Sequence, residues 1–225
     1  MQQKIINVQI AGVIKLMMKK NLNNNYVNVQ KKINSLKIEK MNTRIETLNP
    51  DTTTGKSKEL FNAVQSKLGF IPNLIKVFGN SPATLQTYLS LGELTASGNF
   101  SNKFREQLAL AIAEENNCNY CLSAHTAIGK MNGLTDEQTE QNRQGFANDS
   151  KTQAALKFAQ KVTRKRGQVS SEEIQDFKNA GHNDSDVLEI VLNVVSNTLT
   201  NYVNHIAETE IDFPLIESGK FAVTQ

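Results

Sequence analysis

Leu108-Ala-Leu-Ala-Ile-Ala113 is a run of six consecutive apolar residues, and at about 100° per residue such a run covers the whole circumference of a helix. A helix of this kind has no polar face to offer water, so the rest of the chain must surround it. From Ser57 onward apolar residues recur at helical spacing, and the strict alternation of a strand is almost absent. The fold class read from this pattern is all-α, a compact multi-helix domain.

Local punctuation divides that domain. Leu60, Phe61, Val64 and Leu68 predict a first helix ended by Gly69, and Ile71-Pro72-Asn73 a turn into a short segment around Leu74 to Phe78. Ser81 before Pro82 is an N-cap with proline at the first helical position, opening a helix through Leu85 and Leu89 to about Leu94. Ser101 caps the buried helix. Asn116-Asn117 then bends the chain into a helix from near Cys118 to Met131, terminated by Gly133. Thr135-x-x-Gln138 is a capping box for a helix ending near Gly145; Ser150 starts another that Gly167 stops, and Ser170-x-x-Glu173 opens one closed by Gly181. From Val187 to Ile206 one wide apolar stripe suits a central core helix or a subunit interface. The residues after Pro214 read as a tail.

The chain has 225 residues, 39% hydrophobic and 21% charged, enough to bury one core. The expected organisation is an N-terminal appendage over 1–41, poorly ordered and with an Asn-rich patch at Asn21 to Asn25, a helical domain over 42–218 and a tail over 219–225. Met41 is an alternative start. The net charge of +3 owes much to Lys4, Lys15, Lys19, Lys20, Lys31, Lys32, Lys37 and Lys40, which read as a solvated tail rather than a nucleic-acid footprint. Ile5 to Met18 is the one candidate targeting segment, but Lys15 interrupts it and it falls short of the ~20 apolar residues a membrane span needs. Neither nucleic acid nor membrane is expected as a partner. Two cysteines three residues apart close too short a loop to staple a fold, which excludes a secreted disulfide scaffold. Such a pair reads instead as redox chemistry or metal binding in a reducing compartment, so the expected location is cytoplasmic.

Cys118 and Cys121 lie one helical turn apart and His125 four residues further, so the three project to one side of one helix. The cysteines fall at the helix start, where free N–H groups and the macrodipole favour a thiolate. A thiolate attacks peroxide, a second thiol one turn away closes the resulting sulfenic acid to a disulfide, and a histidine serves as base or proton carrier. Two other readings stay open: three ligands of a zinc site completed by His182 or His205, and two buried cysteines packed as small hydrophobes. Glu106 falls on an apolar face, four residues before Leu110; alternatively it pairs in solvent with Arg105 or Lys103. His205 reads as a satisfied core histidine, His182 as an exposed loop residue and Tyr120 as a core or interface aromatic.

The stretch Glu106-Gln-Leu-Ala-Leu-Ala-Ile-Ala-Glu-Glu-Asn-Asn-Cys118-Asn-Tyr-Cys121-Leu-Ser-Ala-His125 resembles the signature of the alkylhydroperoxidase D and carboxymuconolactone decarboxylase-like superfamily. That signature sets a glutamate twelve residues before the first cysteine of C-x-x-C-x-x-x-H, and all four positions are filled here. The resemblance extends from about Thr43 to Ser218, through Gly69-Phe-Ile-Pro72-Asn73-Leu, Gly129, Gly133 and Asn201-Tyr-Val-Asn-His205. It implies an alkylhydroperoxidase D-like helical domain with Cys121 as the peroxide-attacking thiolate, Cys118 as its disulfide partner, and Glu106 and His125 as a proton relay. It further implies no bound cofactor, a lipoyl or thioredoxin-like dithiol as electron donor, and a homo-oligomer, trimer or hexamer. Lactone decarboxylation is the alternative activity, and a redox-sensing or zinc-binding protein the non-catalytic one. The best-known members place a histidine just before the second cysteine; Tyr120 stands there instead.

Overall fold

The computed structural model describes residues 44–219. Among these it contains nine helices and no strand. The helices are α1 (Gly55–Leu68), α2 (Asn73–Phe78), α3 (Pro82–Ala96), α4 (Asn102–Glu115), α5 (Asn119–Met131), α6 (Asp136–Arg143), α7 (Ser150–Arg164), α8 (Ser171–Asn179) and α9 (Asp184–Ala207). The expected appendage over 1–41, with its Asn-rich patch and the Ile5 to Met18 segment, lies outside the described residues. No described helix is long and apolar enough to cross a membrane.

The caps read from sequence form as hydrogen bonds. Ser81 and Ser101 accept from the backbone N–H groups of Thr84 and Phe104, and Thr135 and Ser170 make reciprocal boxes with Gln138 and Glu173. A further box of Asn183 and Asp186 opens α9, each cap satisfying donors a helix start leaves unpaired. Gly69 takes the left-handed conformation that ends α1, with φ of 79°.

α4 is the centre. Residues 108 to 113 are all 2% exposed or less, and α4 packs on α5, α6, α7 and α9. Each fully buried Leu or Ile in such a run contributes about 1.5–3 kcal/mol of transfer free energy, which is why the run fixes the architecture. One face of the core joins α1, α2, α3 and α5 and includes both cysteines and Tyr120; the other joins α4 to α7, α8 and the start of α9. Gly129 lets α5 lie close to its neighbours, since a Cβ there would stand 2.8 Å from Leu134 Cδ1 and 3.7 Å from Glu106 Cβ.

Two expectations are corrected, those for His182 and His205, and two further elements are defined. His182 is buried, because Phe177 of α8 stacks on its ring and α7 supplies a carbonyl to its Nε2. His205 is exposed, because it sits on the last turn of α9 where no other described helix covers it. The apolar stripe of α9 is divided: Ile190 and Val194 face the core, whereas Leu188, Val191, Val195, Tyr202 and Ile206 face outward. The segment after Pro214 is docked across α4, α5 and α6, with Ile216 N–H donating to Ser123 Oγ at 2.9 Å and Ser218 N–H to Asn119 Oδ1 at 2.8 Å. The expected tail at 219 also begins tied down: Gly219 N–H donates to Glu114, whose other oxygen pairs with Arg143 at 2.8 Å.

Candidate active site

Cys118 is the N-cap of α5, and its sulfur accepts from the N–H of Cys121 at 3.2 Å. A sulfur in the cap position collects the free N–H groups and positive end of the helix, which favours its thiolate. Asn117, at φ of 54°, turns the chain from α4 into that cap. The C-x-x-C spacing then brings Cys118 and Cys121 into a disulfide, with Cα atoms 5.3 Å apart and each residue 2% exposed.

One turn further along α5, His125 Nδ1 lies 2.8 Å from Glu106 Oε2, the side chains 22% and 17% exposed. A carboxylate accepts, so Nδ1 carries the proton and Nε2 is the nitrogen left for exchange. Glu106 therefore makes neither of its expected solvent pairings; Arg105 turns to Phe100 O and Asn102 instead.

Two cavities flank these groups. Glu106, His125, Tyr88, Asn193, Asn197 and Thr200 line one of about 200 Å³. Burial, and secondarily the negative charge of Glu106, raise the Tyr88 phenol above its ordinary pKa, so Tyr88 presents a hydroxyl and not a phenolate. Cys118, Asn204, His205 and Glu208 help line the other, of about 160 Å³. A third cavity, about 290 Å³ between α4, α6 and α7, is lined by none of the four residues picked out in the sequence.

Residues 82–161, which carry α3 to most of α7 and all four of those positions, match the model of the carboxymuconolactone decarboxylase family. Over those residues the chain is similar to that family, in line with the signature read from the sequence. Solved structures repeat its fold. An uncharacterized peroxidase-related protein from Silicibacter sp. TM1040 superimposes with a TM-score of 0.67 at 22% identity, covering 75% of this chain and 91% of that one. An uncharacterized peroxidase-related protein with an alkylhydroperoxidase core, from Ralstonia eutropha JMP134, gives 0.66 at 21%, covering 75% and 92%. The debrominase Bmp8 gives 0.65 at 18%, covering 76% and 94%. No curated protein matches the sequence.

Against the superfamily signature the departure at Tyr120 has a structural reason. Its hydroxyl accepts from Leu74 N–H at 3.2 Å and hydrogen-bonds the carboxylate of Asp212, which accepts from Asn73 N–H at 2.8 Å. Burial, with Asp212 adding to it, pushes this phenol well above its ordinary pKa. Tyr120 thus ties α5 to the start of α2 and to the C-terminal segment.

Asn204 is the site residue that reading the sequence for chemistry missed. Its side-chain amide, on α9, donates to Cys121 Sγ at 3.3 Å. Its Oδ1 is buried without a partner among the described residues, an arrangement that costs about 1–3 kcal/mol. The only sequence signal was its place in the Asn201-to-His205 stretch that the superfamily resemblance includes. Of the zinc alternatives nothing assembles: among the described residues no three His, Cys, Asp or Glu side chains converge as metal ligands would.

Proposed function

We propose that this protein is a thiol-dependent peroxidase that reduces hydroperoxides through the Cys118–Cys121 pair. The observation that carries the reading is the Glu106–His125 pair at 2.8 Å, one helical turn from a cysteine pair able to cycle between dithiol and disulfide. The Cys121 thiolate attacks the terminal peroxide oxygen. The O–O bond breaks, the alkoxide leaves with a proton relayed by His125 and Glu106, and Cys121 becomes a sulfenic acid. The Cys118 thiolate then attacks the Cys121 sulfur, the hydroxyl departs as water on taking a proton, and the disulfide forms. A lipoyl or thioredoxin-like dithiol returns two electrons, so the cycle needs no bound cofactor. The same reading places the enzyme in the cytoplasm and assembles it as a homo-oligomer, trimer or hexamer, with the outward stripe of Leu188, Val195, Tyr202 and Ile206 between copies.

Lactone decarboxylation, named for the family, is disfavoured because it has no use for a cysteine pair. The debrominase Bmp8 among the structural neighbours, solved in complex with 2,3,4-tribromopyrrole, makes brominated pyrroles the control substrate. To test the reading, the reduced protein receives one equivalent of organic hydroperoxide while thiols and intact mass are followed. Loss of both thiols with a mass lower by two hydrogens, abolished by Cys121→Ser, is the expected result. Unreactive thiols, or oxidation by the halogenated control alone, would sink it. Light scattering reads the assembly, and a monomer at micromolar concentration rejects the oligomer.

A further inference from the structure

The two sulfurs of the disulfide have different surroundings. Cys118 borders the cavity of about 160 Å³ that His205 and Glu208 also line, whereas Cys121 lines none of the three cavities described. Cys121 instead faces α9, where the Asn204 amide donates to its sulfur at 3.3 Å. A disulfide sulfur bears no hydrogen, so only the N–H₂ end of an amide can hydrogen-bond to it, which fixes the orientation of Asn204. The amide oxygen is left buried and unpartnered among the described residues, so this asparagine is badly placed as a stabiliser of the fold. It is well placed to hold negative charge on one sulfur, because a hydrogen bond to a charged acceptor is stronger than one to a neutral acceptor.

We propose that Asn204 is a catalytic residue of thiol–disulfide exchange: its amide holds the Cys121 sulfur as the departing thiolate while an external thiol, entering the cavity beside it, bonds to Cys118. The proposal rests on the peroxidase reading only for the identity of that thiol, the first sulfur of the reducing dithiol. The donor's thiolate attacks Cys118 Sγ, the Cys118–Cys121 bond breaks, and the electron pair leaves on Cys121. The donor's second thiolate then attacks its own first sulfur, releasing Cys118 and closing the donor to a cyclic disulfide. Two electrons pass from donor to protein, and the donor's two thiol protons go to solvent, leaving both cysteines as thiolates. The same hydrogen bond keeps Cys121 a thiolate for the next peroxide.

The test follows reduction of the oxidised full-length protein by dithiothreitol, without peroxide, in the wild type, Asn204→Leu and Asn204→Asp, with circular dichroism to confirm that each variant is folded. Losing a hydrogen bond to a charged sulfur slows reduction about tenfold or more in Asn204→Leu, and the carboxylate of Asn204→Asp, repelling the thiolate, slows it further. In a Cys118→Ser background the pH midpoint for alkylation of Cys121 by iodoacetamide moves upward with Asn204→Leu. A bulky aromatic disulfide captures Cys118 in Cys121→Ser faster than Cys121 in Cys118→Ser. Wild-type reduction rates and an unmoved midpoint in a folded Asn204 variant, or faster capture of Cys121, overturn the proposal. If the wild type fails to consume peroxide while the exchange results hold, the peroxidase reading falls alone.

Discussion

His125 meets Glu106 at 2.8 Å and His182 meets Asp186 at 3.2 Å, the same two functional groups at similar distances in two regions of one molecule. The difference lies in what surrounds them. The second imidazole, its side chain 2% exposed, stacks on Phe177 with ring centres 4.1 Å apart, and its Nε2 donates to Lys151 O at 3.0 Å. Every polar atom of that ring has a partner, and the result joins α7, α8 and α9. The first imidazole has a partner for Nδ1 alone among the described residues and borders a cavity with Glu106 and Tyr88. A histidine–carboxylate pair is therefore no sign of chemistry by itself; an unused nitrogen facing space for a reactant is.

The largest effect that would break this contrast is expected at His125. His125→Ala should lower the second-order rate of peroxide reduction by about 10²–10⁴-fold, the usual share of a general acid–base group, while the urea midpoint scarcely moves. Equal losses of activity and stability would make the first pair structural like the second. His182→Ala should do the reverse, costing about 2–4 kcal/mol of unfolding free energy through the lost stacking and the stranded carbonyl, with thiol reactivity kept. Tyr120→Phe sharpens the boundary between the regions: it removes a hydroxyl that ties α5 to α2 and should cost about 1 kcal/mol, with no change in the pH profile of thiol alkylation. A shifted profile would instead place Tyr120 in the proton relay.

The smallest effect concerns the start of α8, the helix that supplies Phe177. Lys165, followed by the Ser170 N–H, holds the Glu173 carboxyl below its usual range, at about 2. A depressed folded pKa contributes stability that is complete above the unfolded value and is lost as pH falls from there through the folded one. The stability of Glu173→Gln should therefore depend less on pH than that of the wild type between about 4.5 and about 2. Acid unfolding curves that coincide would remove this cap from the support of His182.

How much of this was legible follows from the range of each interaction. The caps at Ser81, Ser101, Thr135 and Ser170 and the stop at Gly69 were readable because each is a bond between residues three or four apart. The Cys118–Cys121 pair and the position of His125 were readable for the same reason, since one helix fixes all three. The partnership of Glu106 with His125 crosses between α4 and α5 and was reached only through resemblance to a superfamily. The two remaining histidines were misjudged because each lies at a helix boundary, where burial depends on whether another element arrives: Phe177 reaches His182, whereas among the described residues His205 stays exposed with its Nε2 on Asn116 O.

By itself, then, the sequence determined an all-helical chain wrapped around the Leu108-to-Ala113 run, because propensity, capping and periodicity act within a few residues. It also determined a cysteine pair at a helix start. Only the tertiary structure decided which atoms stay available around that pair. Asn204 reaches Cys121 across 83 positions of sequence, and Tyr120 is drawn to Asp212 by the docked C-terminal segment. Contacts of that kind depend on how helices pack in space, which no short-range pattern of residue types encodes.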